Sequence, residues 1–131
     1  MKGRHMLATL VGGLIITVGA EAHHSFMATY DDTQEVRIEG TLVAFHFRNP
    51  HASVDILAED ENGDSIRWTV EWGSASTLAG QGMTRESLRA GDHVVITGNV
   101  PRNAELRRLR MLSILRPADG YGWGFDNESF D

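Results

Sequence analysis

Two adjacent histidines, His23 and His24, have the clearest potential for chemistry in this sequence. They follow a segment built like a secretory signal, and cleavage after Ala22 would make His23 the N-terminal residue. A terminal histidine can bind a metal through its amine and its ring together, because an α-amine titrates at about pH 8 and loses its proton readily to a metal. Such nitrogen ligands suit copper, zinc or nickel, and copper or zinc is the cofactor that we expect.

Two further ligands are expected from the fold, His51 as a nitrogen ligand and Glu71 as a weaker oxygen ligand. His51 lies 11 residues before Asn62, and Glu71 lies 8 residues after Gly63. An Asn-Gly pair between two alternating stretches is a strong hairpin signal, so the two positions should lie a few residues apart across an antiparallel ladder. The sequence therefore predicts a metal site formed by His23, His24, His51 and Glu71.

A second interpretation of the same residues is open. Adjacent histidines near a chain terminus are often solvated, and Glu71 can pair with Arg48 or Arg67. The sequence contains no compact ligand motif such as His-Glu-x-x-His. In this interpretation the protein is a structural or interaction module, whose histidines and aromatic tail dock a protein partner without metal.

The remaining histidines of the domain and two of its tryptophans fit structural positions better. His46 keeps the phase of the apolar residues in its strand, so we expect it to be partly buried and hydrogen-bonded. His93 opens a strand after a turn and is not expected to bind metal. Trp68 and Trp72 alternate with polar residues, which favours core positions over a stacking platform for a ligand.

Residues 1–22 are predicted to be a cleaved signal peptide. Lys2 and Arg4 give a positive start, an apolar run of 13 residues follows at 6–18, and Ala20-Glu21-Ala22 places small residues where a signal peptidase reads. The apolar run is shorter than the roughly 20 residues that span a bilayer, so we expect no membrane span in the mature protein. The predicted location is periplasmic or secreted.

The domain that must position these residues is predicted at 23–116. Its pattern predicts an all-β fold with a small helical insertion. Ser74 can cap a short helix between the third and fourth strands, and Gly40 interrupts the first strand as a bulge or barrel corner does. This order predicts an OB-fold-like five-stranded partly open barrel, with a β-sandwich as the alternative. Residues 117–131 form an aromatic C-terminal tail without a period, expected to be mobile or laid against the barrel. The strands are predicted at about 36–44, 52–56, 66–72, 94–100 and 109–115.

Charge argues against a nucleic-acid partner. The chain has 12 Lys and Arg against 18 Asp and Glu, for a net charge of −6. Loss of Lys2, Arg4 and Glu21 with the signal leaves 10 against 17, or −7. A net negative domain is poorly suited to a phosphate backbone. The one basic cluster is interpreted as a solvated surface and consists of Arg102, Arg107, Arg108 and Arg110.

Catalytic motifs are absent from the sequence. It has no cysteine, no Gly-x-Ser-x-Gly and no glycine loop that would hold a phosphate. The paired carboxylates of the hairpin turn at 59–61 suit a solvated turn. We therefore expect a protein that binds a metal ion or a small ligand, and not an enzyme.

The sequence resembles a family of exported bacterial proteins known only as a domain of unknown function. The likeness covers most of residues 22–116 and implies export and an OB-like fold, but no established activity. It is carried by Ala22-His23-His24-Ser25-Phe26, Gly40-Thr41-Leu42-Val43, Asn49-Pro50-His51-Ala52, Trp68-Thr69-Val70-Glu71 with Gly73-Ser74, Thr84-Arg85-Glu86-Ser87-Leu88 and Gly91-Asp92.

Overall fold

The computed structural model describes residues 26–124, which contain six β-strands and one short helix, preceded by a single helical turn at 26–29. In chain order the elements are β1 (Tyr30–His46), β2 (Ser53–Glu59), β3 (Ser65–Glu71), α1 (Ala75–Gly80), β4 (His93–Pro101), β5 (Arg108–Arg116) and β6 (Tyr121–Trp123). None of the helices within residues 26–124 has the length and apolar character needed to cross a membrane.

Five of these strands close into a ring. β1 pairs antiparallel with both β2 and β4, β2 pairs antiparallel with β3, and β4 pairs antiparallel with β5. A short parallel pairing of β3 with β5, over three residue pairs, completes the ring. The ring order β1-β2-β3-β5-β4, with α1 between β3 and β4, confirms the OB-fold-like architecture predicted from the sequence.

Local sequence signals explain most of these elements. Ser74 caps α1, because its hydroxyl oxygen accepts a hydrogen bond from the backbone N–H of Thr77 at 3.1 Å. The turn between β2 and β3 places Gly63 at a φ of 84°, a conformation that glycine adopts without strain. The hairpin then pairs Ser53 with Glu71, so His51 lies two residues before the partner of Glu71, within the predicted separation of a few residues.

The core lies inside the ring and is filled by alternate residues of its strands. Trp72 is 2% exposed, as expected for a core position, and Leu78 of α1 belongs to the same core with 1% of its surface exposed. The most deeply buried core side chains include Val54, Ile56, Val70, Ile96 and Leu109, which have no exposed surface.

Gly40 lies where β1 pairs with β2 and β4 at the same residue. It pairs with Ala58 of β2 on one side and with Val94 of β4 on the other. A methyl group added at Gly40 would overlap the backbone carbonyl of Leu57. At Gly40, where the sequence predicted a bulge or a barrel corner, the β2 backbone therefore leaves no room for a side chain.

Substitution of Gly40 by alanine is expected to lower the free energy of unfolding by about 2 kcal/mol, because the added methyl group must push two paired backbones apart. Gly80→Ala is the matched control, since nothing lies within 4 Å of a methyl group there. That change should be neutral or stabilising by up to about 1 kcal/mol. Urea unfolding of both variants measures the difference, and equal stabilities would show that the strands tolerate a side chain at position 40.

The C-terminal segment adds a strand that the sequence analysis did not identify. β6 pairs antiparallel with β5, and Trp123 packs edge-on against Trp72 with ring centroids 5.0 Å apart. The Trp123 indole N–H also donates to Gln81 Oε1 at 2.6 Å. A strand of three residues is too short to show a period, which is why alternation gave no signal. Residues 125–131 lie outside the described residues.

Candidate functional site

Two of the four predicted metal ligands line one cleft. His51 and Glu71 both contribute to a surface cleft of about 420 Å³ at the ends of β2 and β3. His23 and His24 lie outside the described residues. Within residues 26–124, no group of three or more histidine, aspartate or glutamate side chains is arranged to hold a metal ion.

The segment before β2 fixes the position of His51. Asn49 binds the start of α1, because its side-chain oxygen accepts a hydrogen bond from the Ser76 backbone N–H at 3.1 Å. On the other side of His51, the Ala52 N–H donates to the Gly73 carbonyl at 2.9 Å. His51 is thus held between the N-terminal end of α1 and the end of the β2–β3 ladder.

The His51 ring has an unusual environment. Phe26 packs against it with ring centroids 4.6 Å apart and an interplanar angle of 78°. The ring nitrogen Nδ1 is buried and has no hydrogen-bond partner among the described residues. A buried polar atom without a partner is rare in native proteins and is commonly satisfied by a bound water or ion.

Glu71 is fully engaged with two other residues. Its Oε2 accepts a hydrogen bond from the Tyr30 hydroxyl, and its Oε1 pairs with the Arg108 guanidinium. Tyr30 is 1% exposed, and its burial, together with the neighbouring Glu71 carboxylate, raises the pKa of its phenol well above the ordinary value. Because both carboxylate oxygens already have partners, Glu71 is placed to hold the wall of the cleft together.

Residues of the basic cluster fold back onto the protein and are not simply solvated. Arg110 lies over the Phe26 ring, with its Cζ 5.3 Å from the ring centroid. Arg102 holds the turn at 26–29, since its Nε donates to the Met27 carbonyl at 3.1 Å and its backbone N–H donates to the Thr29 carbonyl at 2.9 Å. The arginines therefore fix the start of the described chain beside the His51 cleft.

A second polar cluster lies on the face of β2 and β3 that also carries Glu71. Asp55 is 8% exposed and accepts hydrogen bonds from Arg67 Nη2 at 2.8 Å and Thr69 Oγ1 at 2.7 Å, and its Oδ2 lies 3.1 Å from His46 Nε2. Burial alone would raise the pKa of Asp55, but the hydrogen bonds from its three partners outweigh it and lower the pKa. The expectation that His46 is partly buried and hydrogen-bonded is confirmed.

Sequence reasoning missed three residues around the cleft, Phe26, Tyr30 and Arg108. Tyr30 precedes the first predicted strand, and Arg108 belongs to the cluster that was interpreted as a solvated surface. The glutamate partner expected to be Arg48 or Arg67 is Arg108, while Arg67 pairs with Asp55. His93 lies away from the cleft, where its Nε2 is 2.7 Å from Glu39 on an exposed surface.

Comparison with known proteins gives a family. No curated protein matches the chain. Among solved structures, the chain is similar to the mitochondrial single-stranded DNA binding protein Rim1 of S. cerevisiae, with 13% sequence identity, coverage of 62% of this chain and 90% of that chain, and a TM-score of 0.46. The resemblance drawn from the sequence is confirmed, because the pattern of DUF6152, a family of unknown function, matches residues 13–110, and the chain belongs to this family.

Proposed function

We propose that this protein is an exported small binding protein that holds a copper or zinc ion at the His51 cleft. In this proposal the signal is removed after Ala22, and the amine and rings of His23 and His24 bind the metal together with His51. The observation that carries the proposal is the buried Nδ1 of His51, which has no partner among the described residues. A metal ion at this nitrogen would satisfy it.

Chain connectivity supports this ligand set. Phe26 contacts the His51 ring, and only Ser25 separates Phe26 from His24 in the sequence. Consecutive Cα atoms are about 3.8 Å apart, so the Cα atoms of His24 and Phe26 can be no more than about 7.6 Å apart. An imidazole at position 24 is therefore within reach of the cleft.

The contacts of Glu71 narrow the proposed ligand set. Its two oxygens are bonded to Tyr30 and Arg108, so a metal would have to compete with an ion pair and a buried hydroxyl for them. The three histidines and the terminal amine provide up to four nitrogen donors without Glu71. We assign Glu71 to the support of the cleft and the metal to nitrogen ligands, which copper(II) and zinc both accept.

Calorimetric titration of copper(II) into protein that begins at His23 tests the proposal. We expect one ion per chain, and a loss of at least about tenfold in affinity, roughly 1.4 kcal/mol, for His51→Ala, for His23→Ala and for protein with one extra residue before His23. His93→Ala is the matched control, because His93 is an exposed histidine outside the cleft, and it should change the affinity little.

Two results would contradict the proposal. One is the absence of copper or zinc uptake by the wild-type mature protein at micromolar concentration, and the other is a His51→Ala variant that behaves like His93→Ala. Docking of a protein partner would then become the leading function. Export has its own readout, since mass spectrometry of protein from the native host should find His23 at the N-terminus and not Met1.

A further inference from the structure

A second cleft, of about 500 Å³, lies where the loop between β4 and β5, residues 102–107, meets the start of β1. Leu109, which has no exposed surface, and Trp68, which packs against the core, line its inner side. It shares no lining residue with the His51 cleft. Its volume falls in the range of about 300–1,000 Å³ that is typical of small-molecule sites.

The lining of this cleft leaves apolar surface in water. Val36 and Leu106 line it and remain 36% and 38% exposed. Covering such surface is favourable, by about 25 cal/mol for each Å² removed from water. Trp68 adds a flat aromatic face or edge, against which another ring packs with specific geometry. The volume and the apolar, aromatic lining therefore fit a small molecule that carries an apolar ring.

The charges at the opening determine what else that molecule should carry. Asp31 also lines the cleft, but its carboxylate accepts hydrogen bonds from Thr33 at 2.7 Å and from Gln34 at 3.0 Å within its own turn. Neither Arg102 nor Arg107 is paired within 4.0 Å with a carboxylate of the described residues. The opening thus presents the Arg102 guanidinium, which forms no ion pair within residues 26–124 and interacts with Asp31 only over a longer distance.

The position of Arg102 fits an anionic ligand, whereas Arg107 does not line the cleft. Arg102 lines the cleft and uses its Nε and backbone N–H on the turn at 26–29, while no hydrogen bond within residues 26–124 uses its Nη groups. Arg107 lies over the Trp68 ring, with its Cζ 5.5 Å from the centroid. A carboxylate at the opening would make charge-assisted hydrogen bonds to Arg102, which are stronger than bonds between neutral groups.

We propose that this second cleft binds a flat aromatic carboxylate, with its ring against Trp68 and Leu106 and its carboxylate at Arg102. This site is separate from the His51 cleft and does not depend on metal binding. The proposal assigns a ligand class to the cleft, an aromatic ring that carries one negative charge.

Titration calorimetry with three related probes tests this assignment. The probes are naphthoate, the neutral naphthylmethanol and the cationic naphthylmethylamine. We expect saturable binding of naphthoate, about fivefold or more tighter than naphthylmethanol and tighter still than the amine, because only the carboxylate can bond to Arg102. Arg102→Gln should weaken naphthoate binding by about fivefold and leave naphthylmethanol unchanged.

A second variant tests whether the probes bind in this cleft. Ala104 lines the cleft in an exposed turn, so Ala104→Trp should fill the cleft and weaken all probes by at least about tenfold without disturbing the fold. Arg85→Gln is the matched control, because Arg85 is an exposed arginine that does not line the cleft. Circular dichroism of each variant verifies that the fold is retained.

Three outcomes would overturn the proposal. The first is no saturable binding of any probe to the wild-type protein, and the second is equal affinity for all three probes, which would remove the role of the charge. The third is undiminished naphthoate binding by the Ala104→Trp variant, which would place the binding elsewhere.

Discussion

Replacing Glu71 with alanine is expected to lower the free energy of unfolding by about 2 kcal/mol, less than the roughly 3–5 kcal/mol for breaking a fully buried ion pair, because both partners are partly exposed. The change leaves the buried Tyr30 hydroxyl without its acceptor and the Arg108 guanidinium without its counter-charge. The Arg108 side chain is 44% exposed, so water compensates part of the loss there. Urea unfolding at neutral pH measures the effect.

A double-mutant cycle separates the role of Tyr30 from that of Arg108. Tyr30→Phe keeps the buried ring and removes one hydrogen bond, which should cost about 1 kcal/mol. Tyr30→Phe and Glu71→Ala both remove the hydrogen bond between these two residues. The variant that carries both changes should therefore lose roughly 1 kcal/mol less than the sum of the losses of the two single variants. Glu39→Ala, which breaks the exposed pair with His93, is the control and should cost no more than about 0.5 kcal/mol. A Glu71→Ala variant as mild as that control would show that the cleft wall does not depend on Glu71.

Local patterns were enough to predict the ring strands, because alternation and turn chemistry are properties of neighbouring residues. The hairpin of β2 and β3 is the clearest case, since the Asn62-Gly63 pair indicated the turn, in which Gly63 has a φ of 84°. The register is shifted by one residue from that of a two-residue turn, because Glu59 pairs with Ser65. The role of Gly40 could also be predicted, because a glycine inside an alternating strand indicates a bend or a close approach of another backbone.

The start of β1 could not be predicted from the alternation of apolar and polar residues. The strand begins at Tyr30, whereas alternation predicted a start near Val36. Residues 32–37 are exposed, and the pairing with β4 shifts register between Tyr30 and Glu35. With no buried face in that stretch, apolar and polar residues have no reason to alternate.

The contacts of Glu71 lay beyond the reach of local patterns. Tyr30 and Arg108 are 41 and 37 residues away in the sequence, and Arg108 reaches Glu71 only because β3 and β5 run parallel where the ring closes. Nothing in a single sequence distinguishes Arg108 from Arg48 or Arg67 as the partner of Glu71.

Alternation also could not separate the two tryptophans of this region. Trp72 is a core residue, as alternation predicted, while Trp68, on the same side of the chain, lines the second cleft.

Substitution of Asp55 by asparagine is expected to lower the free energy of unfolding by about 3 kcal/mol at neutral pH, because the charged acceptor of Arg67 and the partner of His46 are lost from a site that is 8% exposed. The effect should also depend on pH. The pKa of Asp55 is lowered in the folded protein, so its contribution is complete well above the unfolded pKa of about 3.9 and is lost as the pH falls through that value and below.

The wild-type protein should therefore lose stability more steeply than Asp55→Asn between about pH 5 and pH 3, and the two stabilities should converge as the acid is protonated. Unfolding in urea at a series of pH values measures the convergence. Asp32→Asn is the matched control, because Asp32 is an exposed aspartate of β1, and it should follow the wild-type curve at every pH. If the gap between wild type and Asp55→Asn stays constant down to pH 3, the hydrogen bonds of Asp55 to Arg67, Thr69 and His46 do not stabilise its charged form.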